Sequence, residues 1–486
     1  MYFPQGCEEA RRIFQNGKQY LVYYDPDNDG LIAGYLCEVF LDGMEKSHKH
    51  CINKNRAHGF LIPREQWASL IGYTVFAVDF SMSASDLREL TDLGVSVINI
   101  DHHHIEETEL VSYKSEISGA ESVIINNQYI FEPDEYRFLS GAGMVYYVLG
   151  SMNKAIMFED TKALVGVSLL TDIREIENDI AKDFLTSTYK NDSNKFQYLV
   201  DLTKGDFDGG FGVQNMDRNF VDYSLSPKLN ALFRLDMGEE AIRVIKGEFP
   251  MERRADLSVY KDVQNGVITT IIQALSGYED NTIVVKSVPR DLSVPLNANV
   301  SNFIGVACSR IKNYGKTSFL FVRDDNDNIL RGSVRGRFDN VDYLHIFRRH
   351  GFHCEGHKVA FGVISGDITS IDLKSLSDEI REAEIEGEKT QYIGRLREVQ
   401  NLNMFISMPL GREIAMANNF VRDSKRVYFK YTGNNVKVEQ KGKMWLFHID
   451  GIPVKCFDES LTTDNAYILP LAERSGYITC YLRRPN

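Results

Sequence analysis

Val95-Ser96-Val97-Ile98-Asn99-Ile100-Asp101-His102-His103-His104 is an apolar run that ends in a carboxylate and three imidazoles. Two upstream runs end in the same way. Tyr20-Leu21-Val22-Tyr23-Tyr24 leads into Asp25-Pro26-Asp27-Asn28-Asp29-Gly30, and Thr74-Val75-Phe76-Ala77-Val78 leads into Asp79. Unbroken apolar runs of this length predict strands buried on both faces, as in a parallel sheet. Three such strands, each delivering hard oxygen or imidazole donors at its carboxyl end, predict a site for two divalent metals. That site implies metal-assisted phosphoryl transfer to water. One aspartate after one strand is more often a turn or helix cap, so it is the convergence of three strand ends that carries the prediction.

Outward from these strands, residues 19 to about 190 alternate apolar runs with helical segments, the pattern of a doubly wound α/β domain. Gly30 to Leu36 opens a helix directly after the first carboxylate cluster. Ser83 to Leu93 reads as a helix with a serine N-cap and a Gly94 stop, Ser140 to Leu149 as a small-residue helix, and Lys162 to Thr171 as a helix ending on Asp172. Ligands of open α/β sheets bind beyond the carboxyl ends of the strands, where these carboxylates fall. The predicted metal ligands are Asp25, Asp27, Asp29, Asp79, His102 and Asp172. Asp79 is expected to bridge both ions and Asp101 to hold the other ring nitrogen of His102. Carboxylate and imidazole donors without a thiolate predict two Mn²⁺ ions, with Mg²⁺ as the alternative, rather than zinc.

At 486 residues the chain exceeds a single core, and four regions are predicted. Residues 1–195 form the catalytic parallel-sheet domain. Residues 196–252 form a connecting helical region, with one helix over Pro227 to Lys246. Residues 253–395 form a smaller α/β domain with strands near 282–285, 317–322 and 358–364. Residues 396–486 form an antiparallel β-rich unit with turns at Gly433-Asn434-Asn435 and Lys441-Gly442-Lys443.

No apolar stretch reaches the roughly 18 residues of a membrane span, and Met1-Tyr2-Phe3-Pro4 lacks a signal-peptide pattern. Seven scattered cysteines without a Cys-x-x-Cys make no disulfide framework, so a reducing cytoplasm is the expected compartment. A net charge of −13 excludes a simple basic protein that coats nucleic acid. The charge is uneven: from Asn401 onward 12 Lys+Arg stand against 8 Asp+Glu, which leaves the preceding 400 residues at −17.

Asp25-x-Asp27-x-Asp29-Gly30, Val78-Asp79, Asp101-His102-His103 and the helical Asp172 resemble the four motifs of the DHH phosphoesterases. Gly332-Ser333-Val334-Arg335 and Glu355-Gly356-His357-Lys358-Val359-Ala360-Phe361-Gly362 resemble the two motifs of the DHHA1 domain that accompanies them. Pro227-Lys228-Leu229-Asn230-Ala231-Leu232-Phe233-Arg234 is similar to a segment of the RecJ-type single-strand exonucleases within that superfamily. Two positions depart from the pattern: Tyr23, where many relatives carry histidine, and Cys354-Glu355, where two glycines are usual.

The resemblance implies a catalytic pair, His103 as the contact to the scissile phosphate and Asp101 as the group that orients His102. It implies that Ser333, Arg335, Gly356 and His357 clamp the phosphodiester, and that Asn230 and Arg234 touch the nucleic-acid backbone. Arg426, Tyr428, Lys430, Tyr431 and Trp445 are candidates to line a single-strand channel. The activity implied is a 5′-to-3′ exonuclease on single-stranded DNA that releases mononucleotides. A phosphodiesterase of short RNAs, nucleoside bisphosphates or cyclic dinucleotides is the second reading, and a non-catalytic DNA-binding protein the third. The Lys-Leu-Asn helix and the basic tail favour a polymer, the acidic body and Glu355 a small substrate. Persistence of Asp27, Asp29, Asp79, His102 and Asp172 argues against the non-catalytic reading. The expected partners are single-stranded nucleic acid, DNA ahead of RNA, and a replication or repair protein.

Overall fold

In the computed structural model, β1 (Gln19–Tyr24) lies between β2 (His48–Ile52) and β3 (Tyr73–Val78), and the sheet continues through β4 (Ser96–Asp101) to an edge formed by β5 (Val111–Lys114) and β6 (Glu121–Asn126). The order is β2-β1-β3-β4-β6-β5, parallel throughout except for β5. The structure describes the chain apart from residues 1, 55–58, 104–109, 130–131, 173–177, 205–215, 313–314, 324–328, 339, 367, 393–395, 420–426, 442–443, 458–459, 465, 473–477 and 484–486. No described helix is long and apolar enough to cross a membrane. The chain divides into two compact units, Met1–Ser258 and Val259–Asn486.

Alternation along the strands explains why they read as continuous apolar runs. Leu21, Tyr23, Val75, Ala77 and Val97 face one layer, which includes Trp67, Leu87 and Leu90. Tyr20 and Phe76 face the other, where their rings meet Phe14. Both faces are covered, so most positions are apolar, and buried exceptions such as Thr74 and Asn99 are short polar residues. Register then sets the site. Tyr24 lies beside Val78, and Val78 beside Ile100, so the chain leaves three adjacent strands at one level, through Asp25, Asp79 and Asp101.

The helices of this unit are α1 (Cys7–Asn16), α2 (Asn28–Gly43), α3 (Ala84–Asp92), α4 (Gly141–Met152), α5 (Glu159–Thr171), α6 (Asp179–Lys190), α7 (Asn194–Thr203), α8 (Arg218–Phe220), α9 (Ser226–Arg234), α10 (Gly238–Lys246) and α11 (Arg254–Ala274), the last running on into the second unit. The single helix expected over Pro227 to Lys246 is two. Asp236 takes a left-handed φ of 61°, the Met237 N–H bonds the Leu232 carbonyl at 2.8 Å, and the Asp236 N–H bonds that of Phe233 at 3.2 Å. This is the closure that ends a helix on a left-handed residue, made here by aspartate rather than glycine.

In the second unit, β7 (Ser276–Glu279), β8 (Ile283–Val288), β9 (Thr317–Arg323), β10 (Ile329–Arg335), β11 (His353–His357) and β12 (Ala360–Ser365) form a sheet of order β11-β12-β10-β9-β8-β7. Only β8 and β9 are parallel. With α12 (Ile304–Lys312), α13 (Tyr343–Arg349) and α14 (Leu373–Tyr392) it encloses a core rich in Phe319, Phe321, Phe347, Phe352 and Phe361. The strand expected from Lys358 begins at Ala360, because Lys358 and Val359 make the hairpin turn.

Beyond lie β13 (Leu396–Val399), α15 (Leu402–Ser407), α16 (Pro409–Asn418), β14 (Tyr428–Tyr431), β15 (Val436–Lys441), β16 (Met444–Ile449), β17 (Ile452–Cys456), β18 (Tyr467–Ala472) and β19 (Ile478–Arg483), with strand order β13-β14-β18-β19-β17-β16-β15. The antiparallel expectation is corrected to a mixed sheet: β13 runs parallel to β14, and β17 to β19. Tyr428 and Tyr431 are core residues, Trp445 packs against the core, and the Tyr431 hydroxyl donates to Asp450 at 3.0 Å. Arg426 lies outside the described residues.

Candidate metal centre

After β1 the chain turns through buried Asp25, and Asp27 becomes the N-cap of α2. Its carboxylate accepts the N–H groups of Asp29 and Gly30, each at 3.0 Å. A side chain at Gly30 would overlap the Asp25 carbonyl, so the sharpness of this turn requires glycine. Asp29 then falls in the first helical turn, fully buried. It accepts the Gly141 N–H at 2.7 Å, the Ala142 N–H at 2.9 Å and the Ser168 hydroxyl at 2.5 Å. The positive end of α4 therefore faces Asp29.

Asp79 follows β3 with φ 67°, a left-handed conformation that costs a non-glycine residue about 1–3 kcal/mol and that clusters at functional sites. A Cβ at Gly141 would overlap the Asp79 carboxylate, so the start of α4 is a cradle for it. His102, also buried, places Nε2 3.1 Å from Asp79 Oδ1, 3.6 Å from Asp29 Oδ2 and 3.7 Å from Asp172 Oδ2. Asp172 caps the end of α5, its N–H bonded to the Ser168 carbonyl at 2.9 Å.

All six predicted ligands meet here, in two groups, which a third group of Asp79, Asp101, His102 and His103 overlaps. Donor atoms of Asp25, Asp27 and Asp79 lie within 4.8 Å of one another, as do those of Asp29, His102 and Asp172. The Asp79–His102 contact joins the groups.

Burial pushes the Asp79 carboxyl well above the usual range, and the charges of Asp29, Asp27, Asp25 and Asp172 push the same way. Burial and Asp27 also raise Asp29, against the donors that hold it. Asp79 Oδ1 is buried and accepts no hydrogen bond among the described residues. Gathering this many acids inside a protein without a counter-charge costs several kcal/mol per ion. Divalent cations would supply that charge, and oxygen donors with one imidazole fit Mn²⁺ or Mg²⁺.

Asp101 accepts the Ser81 hydroxyl at 2.8 Å and bonds His103 Nδ1 at 2.7 Å. The expectation placed Asp101 behind His102, and the carboxylate instead holds the next ring. Burial would lower the His103 pKa, but Asp101 outweighs it and the ring is pushed up to about 10. The result is an imidazolium whose side chain is 44% exposed at the rim of the cluster. His104 lies outside the described residues. The Tyr23 hydroxyl is engaged by the Asn53 side chain and by the Leu61 N–H at 3.2 Å, and its ring packs on Phe60 and Phe80, so this departure is built into the adjoining core.

In the second unit, Ser333 and Arg335 lie on β10 opposite Gly362 and Ala360. Arg335 Nη1 donates to Ser333 Oγ at 2.8 Å and to the Val334 carbonyl at 2.7 Å, and the guanidinium rests against Gly305 in the first turn of α12. Gly356 has φ 133° beside Phe361, and exposed His357 closes the β11–β12 hairpin opposite Ala360. Cys354 is buried, and the Glu355 side chain lies outside the described residues.

Asn230, half-buried, and Arg234, both expected to touch the nucleic-acid backbone, lie on α9. Arg234 is buried, and the Asn230 amide donates to Ser226 Oγ at 3.1 Å. Sequence reasoning missed Ser168, Asn28, Ser226 and the Gly141 and Ala142 amides as parts of the site. Ser140-Gly141-Ala142-Gly143 was visible as a helix start, but its contact with Asp29 spans 112 residues.

Residues 20–186 match the DHH family, N-terminal domain. Solved structures of similar fold include RecJ from Thermus thermophilus in complex with Mn²⁺, 17% identical with a TM-score of 0.65, covering 99% of this chain and 71% of that one. RecJ from the same organism in complex with Mg²⁺ gives 15%, 0.56, 99% and 70%. An exonuclease RecJ bound to manganese gives 18%, 0.54, 78% and 95%. No curated protein matches the sequence.

Proposed function

We propose, from the match of residues 20–186 to the DHH family N-terminal domain and from a RecJ-like fold, that this chain is a two-metal phosphodiesterase, a 5′-to-3′ exonuclease on single-stranded DNA that releases mononucleotides. The observation that carries the reading is the pair of ligand groups, Asp25/Asp27/Asp79 and Asp29/His102/Asp172, joined by the 3.1 Å contact of Asp79 with His102. Two groups joined at one contact are what two adjacent cations need. Held by these six residues, two divalent ions would supply a water nucleophile at neutral pH and neutralise phosphoryl charge. Mn²⁺ is the ion proposed, with Mg²⁺ able to replace it.

The chain's own residues do the rest. His103, held as an imidazolium by Asp101, donates a hydrogen bond and a positive charge to the scissile phosphate. Arg335 holds a phosphate of the substrate through its forked, always-charged guanidinium, with Ser333, Gly356 and His357 completing the clamp. A polymer is favoured by the C-terminal sheet. The order β15-β16-β17-β19-β18, with β17 parallel to β19, is that of the five-stranded oligonucleotide-binding barrel. The RecJ structures of similar fold hold manganese, and one of them is described as an exonuclease, which supports the ion and the reading proposed.

The test is single-stranded DNA labelled at one end or the other, incubated with Mn²⁺ and the wild-type chain or Asp79→Ala. Stepwise release of mononucleotides from the 5′ end, absent in the variant, is expected. Intact DNA overturns the exonuclease, and hydrolysis of dinucleotides instead would assign the centre to small phosphodiesters.

A further inference from the structure

Three side chains connect the metal-ligand turn to a helix that carries no ligand. Asn28 stands between Asp27 and Asp29 in the first turn of α2, and its amide donates to Ser226 Oγ at 2.8 Å. The Asn230 amide, one turn along α9, donates to the same oxygen at 3.1 Å. Asn28 is 4% exposed, so its bond to Ser226 is shielded from competing water.

The local winding of the chain brings Ser226 to this place. Helix runs almost unbroken from Arg218 to Arg234, yet Pro227 lies inside it. A proline there cannot donate to the carbonyl four residues back, and its ring collides with that carbonyl. Val221 to Leu225 relieve the conflict by winding as a π-turn, in which the Ser226 N–H bonds the Val221 carbonyl. Such widened turns recur at functional sites because they re-aim the side chains that follow. Behind the turn, α9 is anchored by two donors on one acceptor: buried Lys228 Nζ and the Ser224 hydroxyl both bond the Thr203 carbonyl at the end of α7.

We propose that Ser226 is a positioning residue for the metal centre, its hydroxyl setting Asn28 and through it the placement of Asp27 and Asp29. This rests on the reading of Asp27 and Asp29 as metal ligands. It also assigns Asn230 a task inside the protein, as the second donor that fixes the Ser226 hydroxyl, rather than a contact to substrate. Loss of the hydroxyl removes a half-buried hydrogen bond made by the residue that stands between the two ligands. Partners bonded directly to a ligand, once lost, weaken metal affinity about 10- to 100-fold, and Ser226 acts one bond further out, through Asn28, which places its effect at the lower end of that range.

The experiment is Mn²⁺ titration of the full chain, following the free-ion signal by electron paramagnetic resonance, with melting temperature in EDTA as the measure of folding. Wild type, Ser226→Ala, Ser226→Thr, Asn28→Ala and Asp79→Ala are compared. Mn²⁺ affinity is expected to fall about tenfold in Ser226→Ala and Asn28→Ala, with melting in EDTA nearly unchanged, and to recover in Ser226→Thr. Unchanged affinity in a folded Ser226→Ala overturns the proposal. If that variant does not fold, unchanged affinity in Asn28→Ala overturns it equally. A wild type that binds no Mn²⁺ is a separate outcome: it removes the metal reading itself, and the positioning role with it.

Discussion

Asp79 Oδ1 lies 3.1 Å from His102 Nε2, on a residue held at φ 67° against the first turn of α4. The contact stores energy from two sources, a strained backbone and crowded acids, and both are set at the point where the two ligand groups meet.

Neutralising that position should therefore stabilise the metal-free protein. Asn tolerates the left-handed region as Asp does, and it carries no charge into the cluster. Asp79→Asn is expected to melt about 2–4 °C above wild type in EDTA, the shift of roughly 1 kcal/mol in a unit of this size. Mn²⁺ should raise the melting temperature of wild type and not of the variant. Calorimetry with and without the ion checks both halves, and a variant less stable than wild type in EDTA would refute the account of crowding.

Gly141 gives a steric counterpart. A Cβ there meets the Asp79 carboxylate, whereas one at Gly43, at the far end of α2, meets nothing within 4 Å. Gly141→Ala should cost about 1–3 kcal/mol by overpacking and lose Mn²⁺ binding. Gly43→Ala should be neutral or stabilising by up to about 1 kcal/mol and bind normally. Denaturant titrations of the two variants make the comparison.

What the sequence disclosed and what it hid follow from distance along the chain. The strands that end at Tyr24, Val78 and Asp101 were legible because burial on both faces leaves a mostly apolar run. The pairing of Asp101 was misread as one with His102: side chains two apart on extended chain share a face, so the carboxylate meets His103 and not the adjacent ring. The break at Asp236 was hidden because aspartate stands where a glycine would have marked it. Asp29 on the α4 amides and Asn28 on Ser226 were hidden for another reason. Neither contact leaves a local pattern, and they join residues 112 and 198 positions apart.

The Asp101–His103 pair should separate catalysis from metal binding. His103→Gln keeps a donor but loses the positive charge, and Asp101→Asn loses the group that holds the proton on the ring. Each is expected to lower kcat about 10²- to 10³-fold, as for other donors aimed at developing charge. Mn²⁺ affinity should change little in His103→Gln. Single-turnover rates with the spin titration check the split; a His103→Gln variant with unchanged kcat would remove this residue from the chemistry.

A last expectation concerns pH and lies away from the metal centre. Glu38, on α2, is 2% exposed and ion-paired with His50, whose Nδ1 lies 3.1 Å from Oε1, and with Lys246. Burial alone would raise its pKa; the bonds from His50 and Lys246 outweigh that and hold it at about 2, against an ordinary value of 4.5. A depressed acid stabilises the fold fully above its unfolded value and loses that contribution as pH falls through the folded one. The window is therefore pH 4.5 down to about 2, and the full size, at 1.36 kcal/mol per unit, is about 3 kcal/mol. Glu38→Gln should be less stable than wild type near neutral pH by an amount of that order, because Lys246 and His50 lose their counter-charge. The gap should close as the pH is lowered through this window. Urea unfolding of both proteins in metal-free buffer from pH 7 downward measures it, and a gap that stays constant with pH would show that Glu38 acts by packing and not by charge.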